Sequence, residues 1–127
     1  MTSVVGPSSF LIEADTSEVE NWAADPLVPA SADDLVLSAI LHALSDPVRL
    51  RIVSQLADGS ERTCGSLDLP VAKSTCSHHF RVLREAGVVA QRAEGKCRFN
   101  RLRSDELELR FPGLLDAVLL AQASHLT

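Results

Sequence analysis

The chain has no tyrosine, one tryptophan and four phenylalanines. So thin an aromatic supply suits a small helical protein better than a β-sandwich. Cysteine is also scarce. Cys64, Cys76 and Cys97 are odd in number, widely spaced and form no CxxC pair, unlike the disulfide framework of a small secreted domain. No stretch approaches the roughly 20 apolar residues that a membrane helix needs. The first residues lack the basic start of a secretion signal, and Phe10-Leu11-Ile12 is too short for its apolar part. These absences set the expectation of a reduced, cytoplasmic protein with no membrane partner. Also missing are a GxSxG elbow, a phosphate-binding glycine loop and an HExxH motif. Ser77, His78 and His79 are adjacent, and adjacent helical residues point in different directions, so they form no triad. The expectation is that this is not an enzyme and has no catalytic residues.

Basic residues are absent from the first 34 positions, which hold seven acids: Glu13, Asp15, Glu18, Glu20, Asp25, Asp33 and Asp34. The formal net charge of −5 therefore hides a segregation. Residues 73–103 carry eight Lys or Arg against Glu85 and Glu94, a net of +6. The local patch decides which partner is attracted, whereas the total charge mainly sets solubility. At 127 residues the chain is read as one domain with a tail: an acidic, partly flexible arm over residues 1–32 and a folded domain over 33–127. A domain of that size buries only about 60–70% of its unfolded surface, so pairing with a second copy would help it.

The periodicity of the apolar residues predicts the elements. A first helix runs from about Asp33 to Ala43 with Leu37, Ile40, Leu41 and Leu44 as its stripe. Asp46 and Pro47 restart the chain as cap and first helical residue of a second helix ending near Ala57. Residues 63–69 allow a short helix, and Leu69 to Ala72 a turn. A helix from about Ser74 to Ala86 then places Cys76, Phe80, Leu83 and His79 inward, and Gly87 closes it. The period changes to two over Val88–Ala93 and Cys97–Leu102, with Glu94-Gly95-Lys96 between them as a hairpin turn. Further helices begin at Ser104 and at Leu114. The last of them is apolar nearly all round, as a helix buried against another would be.

The order helix, helix, short helix, polar-tipped helix, hairpin is that of a winged helix-turn-helix, mainly α with a small β wing. The polar-tipped helix fits a major groove about 12 Å wide, while the short helix before it crosses the DNA backbone. Three segments carry a more specific signal: LHALSDPVRLRIVSQLADG (41–59), KSTCSHHFRVLREAGVV (73–89) and EGKCRFNRLR (94–103). With them the chain resembles the arsenic-repressor (ArsR/SmtB) type of winged-helix transcription regulators from about Leu41 to Leu120.

That resemblance implies a homodimer formed through the first and last helices. It also implies binding to an inverted-repeat DNA operator, usually as a repressor, and release by an effector. The recognition positions it implies are Lys73, Ser74, Thr75, Ser77, His78 and Arg81. Ser and Thr hydroxyls can donate to phosphates or bases, and His78 to guanine N7 or O6. Ser74 and Thr75 also suit a plain helix-capping role. Lys96 and Arg98 in the wing suit phosphate contact more than base reading, since phosphate contacts outnumber base contacts in such interfaces. A winged-helix protein-interaction module without DNA binding is the alternative function, and the +6 segment argues against it.

Many relatives of this type sense a metal or metalloid. One usual site is a CxC thiolate pair, where this chain has only Cys64 in Thr63-Cys64-Gly65. Another uses Asp, His and Glu of the last helices, where this chain offers Asp116 and His125. Zinc needs three or four well-placed ligands, so neither supplies a metal site, and no cofactor is expected. Cys76 occupies an inner position on the recognition helix and reads as a packing thiol. A thiol site built from Cys64, Cys76 and Cys97, a thiol redox switch and a small organic effector all remain open as triggers.

Overall fold

The computed structural model describes residues 28–126. The arm expected over residues 1–32 falls mostly outside the described residues, as does the side chain of His125. The elements follow in the expected order: α1 (Leu37–Ala43), α2 (Pro47–Leu56), a one-turn 3-10 helix (Cys64–Ser66), α3 (Lys73–Ala86), β1 (Val89–Glu94), β2 (Cys97–Leu102), α4 (Ser104–Arg110) and α5 (Leu114–Leu126). Among the described residues, five α-helices with one antiparallel hairpin make a winged helix-turn-helix.

The core is aliphatic. Ile40, Ile52, Val53, Leu56, Leu83, Val88 and Val89 are buried from every side, and Phe80 is the one buried phenylalanine among the described residues. Asp46 starts α2 as the sequence predicts, accepting from the backbone N–H groups of Val48 (2.8 Å) and Arg49 (3.2 Å). At the other end of the core, α3 stops at Gly87, whose φ of +94° is left-handed. Its N–H reaches the carbonyl of Arg84, and that of Val88 reaches Leu83, the reversed bonds that satisfy a helix's last carbonyls. A side chain at position 87 would also collide with Leu35, whose Cδ2 occupies the space its Cβ would need.

That close approach explains one departure from expectation. The first helix does not run unbroken from Asp33 to Ala43. A 3-10 turn at Ala32–Asp34 gives way to extended backbone at Leu35 (φ −74°, ψ 135°), and α1 begins only at Leu37. The extended residue places the Leu35 side chain over Gly87, where it is almost wholly buried. Burying a leucine is worth about 1.5–3 kcal/mol, more than the about 1 kcal/mol of a helical hydrogen bond.

The short helix expected over 63–69 is likewise reduced, to the turn at Cys64–Ser66. Gln55 on α2 is the cause. Its amide nitrogen donates to the Asp68 carbonyl (2.8 Å) and its amide oxygen accepts from the Asp68 N–H (2.9 Å). Both backbone groups of Asp68 are thus taken by a side chain instead of by a helix.

The hairpin closes through Gly95 and Lys96, with Glu94 paired to Cys97 and Gly95 at φ +62°. Its base, Val89 opposite Leu102, is buried, and its tip is exposed. Arg62 and Asn100 exchange backbone hydrogen bonds in both directions (2.9 and 2.8 Å). This stitches the loop before the 3-10 turn onto β2 and fixes the direction in which the wing projects.

Candidate nucleic-acid interface

The recognition helix divides its residues between two faces. Cys76, His79, Phe80, Leu83 and Ala86 are buried. Lys73, Ser74, Thr75, Ser77, His78 and Arg81 are all exposed. Every one of the six positions expected to face DNA therefore lies on the open side. Lys96 and Arg98 are exposed as well, at the tip and on the return strand of the wing.

Helix and wing share their clefts. One, of about 360 Å³, is lined by Ser77, Arg81, Arg84, Gln91, Arg98 and Asn100. Another, of about 350 Å³, brings Lys73 and Ser77 together with Lys96, Cys97 and Arg98. Ser77 and Arg98 border both, so the expected contacts of helix and wing face common spaces.

Behind the first cleft runs a polar chain that the sequence reading missed. The Gln91 amide oxygen accepts from Arg84 (3.2 Å) and Arg98 (3.4 Å), and its nitrogen donates to the Asn100 side-chain oxygen (3.0 Å). Asn100 in turn donates to the Arg62 carbonyl (3.2 Å). Recognition helix, wing and preceding loop are thereby held in one arrangement. Gln91 and Asn100 sit among ordinary strand residues, and nothing in their spacing marks them.

Arg49 was also missed, since it lies in what reads as a plain amphipathic helix. It is buried, and its Nε donates to the Ala43 carbonyl (2.6 Å) and one terminal nitrogen to Nδ1 of His79 (3.1 Å). His79 is accordingly a hydrogen-bonded core residue of the recognition helix, as its inward position predicts.

The electrostatics are more modest than the sequence suggests. Arg92 pairs with Glu61 and Glu94, and these two carboxylates hold its guanidinium still more firmly protonated than usual. Arg103 is buried, donating to the Pro29 carbonyl (2.7 Å) and pairing with Glu106. Arg81 pairs with Glu85 one turn on (3.0 Å), in an exposed setting. The segment's net of +6 is thus not all presented to a partner.

Two readings of the cysteines and caps need correction. Cys76 is buried in the core, but it is not a free packing thiol: its sulfur is bonded to that of Cys64, with the Cα atoms 6.8 Å apart. The separation of 12 residues gave no hint of this, because folding back through the Leu69–Ala72 turn brings the two together. Cys97 is unbonded and exposed. Ser74 and Thr75 do not cap α3. Its cap position is Ala72, which offers no side-chain hydrogen bond, and both hydroxyls lie inside the first turn. Among the described residues, no cluster of three His, Cys, Asp or Glu side chains could hold a metal, and no helix is long and apolar enough to cross a membrane.

Known proteins agree with this architecture. A family described as a helix-turn-helix domain matches residues 44–92. An HTH-type transcriptional regulator of Bacillus subtilis, YceK, is 37% identical over 90 residues, spanning 68% of this chain and 90% of the relative. A crystal structure described as a possible transcriptional regulator for arsenical resistance superposes with a TM-score of 0.53 at 32% identity, covering 72% of this chain and 99% of that one. The transcriptional repressor BigR from Xylella fastidiosa superposes at 0.52 with 26% identity, over 87% and 96% of the two chains. With its fold, its exposed recognition helix and these relatives, the chain belongs to the arsenic-repressor type of winged helix-turn-helix transcriptional regulators.

Proposed function

We propose that this protein is a cytoplasmic, homodimeric repressor that binds an inverted-repeat operator and leaves it in response to a signal. The observation that carries the reading is the shared frontage of α3 and the wing. Lys73, Ser74, Thr75, Ser77, His78 and Arg81 stand exposed on one helix face, and Lys96 and Arg98 stand across a common cleft. In this reading α3 enters the major groove. His78 and Ser77 meet base edges there, while Lys73, Arg81, Lys96 and Arg98 meet phosphates.

Dimerisation draws support from apolar side chains left in the open. Val36, Leu37 and Leu41 are exposed around α1, as is Leu120 on α5. Between α1 and α5 lies a groove of about 300 Å³ lined by Leu41, Leu44, Leu50 and Val118. First and last helices thus each leave apolar side chains open, which a second copy would cover while setting two recognition helices side by side.

Selection of duplexes from a random library by the purified protein tests the reading. Enrichment of an inverted repeat is expected, with half-sites about one or two helical turns apart, and its affinity should fall steeply with salt. Absence of any enriched duplex would overturn the DNA reading and favour a protein-binding module.

A further inference from the structure

The bond between Cys64 and Cys76 joins two parts of the DNA-reading head. Cys64 opens the 3-10 turn, and Cys76 sits one turn inside α3, between Thr75 and Ser77. The end of α3 that it anchors is otherwise poorly secured. Ala72 supplies no side-chain cap, and Lys73, Ser74 and Thr75 are exposed. An uncapped first turn frays readily. That turn carries three of the six residues assigned to DNA.

The half-buried Cys64 is also within reach of small reactants, while Cys76 is buried behind it. Cys64 and Cys76 both line an open cavity of about 230 Å³ beside Gly65 and Lys73. Cys64 further borders the cleft shared by helix and wing, opposite the free thiol of Cys97. A disulfide in a reducing compartment is characteristically a transient, sensing one.

We infer that Cys64 and Cys76 form a thiol-oxidation site for a hydroperoxide, and that their bond fastens the first turn of the recognition helix in its DNA-binding form. The inference deepens the proposed function and rests on it for its effect on DNA. In the forward step the Cys64 thiolate attacks one peroxide oxygen and the O–O bond breaks. Cys64 becomes a sulfenic acid, and the leaving oxygen takes a proton to give an alcohol, or water from hydrogen peroxide. The Cys76 sulfur then attacks the Cys64 sulfur, expelling water and losing its own proton. Two thiols have been oxidised by two electrons and one peroxide reduced. A low-molecular-weight dithiol reverses this: one of its thiolates attacks Cys64, Cys76 leaves as a thiol, and the second thiol closes the reagent's own disulfide.

The test compares protein treated with hydrogen peroxide and with dithiothreitol. Peptide mass spectrometry after peroxide should show Cys64 linked to Cys76, and dithiothreitol should abolish the link. The oxidised form should bind a selected duplex about fivefold more tightly, the factor that corresponds to about 1 kcal/mol of helix-end stabilisation. Cys64→Ser removes the half-buried partner and leaves the core intact. It should bind like reduced wild type in both conditions, and Cys76→Ala should do the same. Amide hydrogen exchange over residues 73–78 should be slower in the oxidised wild type. No linked peptide, or a linked form with unchanged affinity and exchange, overturns the inference. If neither form binds any duplex, the DNA reading fails, and the exchange rates still decide whether the bond orders the helix.

Discussion

Arg49 donates to Nδ1 of His79 across 3.1 Å, joining α2 to the recognition helix inside the core. A guanidinium has only donors, so Nδ1 is the acceptor and the ring proton sits on Nε2. The same arginine satisfies the Ala43 carbonyl at the end of α1. One buried side chain therefore sets three helices against one another. Arg49→Ala would leave that carbonyl and the imidazole nitrogen unsatisfied and open a cavity. Losses of this kind cost about 3 kcal/mol, and urea unfolding should show a loss of stability of that size as a lower midpoint at unchanged slope. Arg49→Lys should rescue little, because an ammonium cannot reproduce the planar fork.

Asp46 predicts a pH dependence. Burial on its own would raise its pKa, but the N–H groups of Arg49 and Val48, with the nearby Arg49 guanidinium, bring it below its ordinary value of 3.8. A depressed folded-state pKa means stability that is present above the ordinary value and lost as pH falls through the folded one. Asp46→Ala should destabilise by about 1 kcal/mol near neutrality, the usual worth of an N-cap. The gap between variant and wild type should close as the pH drops below 3.8. A gap that persists unchanged at pH 2 would place the cost elsewhere than in the ionised cap.

The wing and the helix should separate in their salt response. Lys96 and Arg98 are exposed at and beside the hairpin tip, where they are assigned to phosphates. Replacing either with alanine should lower the log–log salt slope by about 0.9 and weaken binding alike for all sequences. Arg81→Ala should weaken binding in the same way. His78→Ala and Ser77→Ala should instead relax preference at particular base positions. Titrations of selected and scrambled duplexes by fluorescence anisotropy, repeated over a range of salt, distinguish the two patterns. Equal effects from all five variants would remove the division of roles.

What the sequence revealed depended on whether its signal was periodic. The inner face of α3, the Asp46–Pro47 start, the Gly87 stop and the place of the hairpin each follow from spacing within one element, and the structure has them as expected; the turn itself is two residues and not the three expected, since Glu94 belongs to β1 and pairs with Cys97. The broken first helix and the reduced 3-10 turn do not, because each is decided by a distant partner: Leu35 by Gly87, Asp68 by Gln55. The same holds at the candidate site. Exposure of the six helix positions was legible from periodicity. The bond between Cys64 and Cys76 and the chain from Arg84 through Gln91 to Asn100 were not, since they depend on how separate elements meet.

The apolar surface at the ends of the domain gives the last prediction. Leu41, which lines the groove between α1 and α5, is 48% exposed, and Leu120 on another side of α5 is 72% exposed. An open leucine contributes little to the fold of a single chain, so an acidic residue in its place should leave monomer stability nearly unchanged. Within a paired interface it would put a charge in an apolar contact, which costs several kcal/mol unless compensated. Leu120→Glu should therefore convert a dimer to monomers at micromolar concentration in sedimentation equilibrium, with thermal unfolding of the monomer still cooperative. Its affinity for a single half-site should match that of wild type, while affinity for the full inverted repeat should fall to the half-site value. A variant that remains dimeric would show that the two copies meet through some other face.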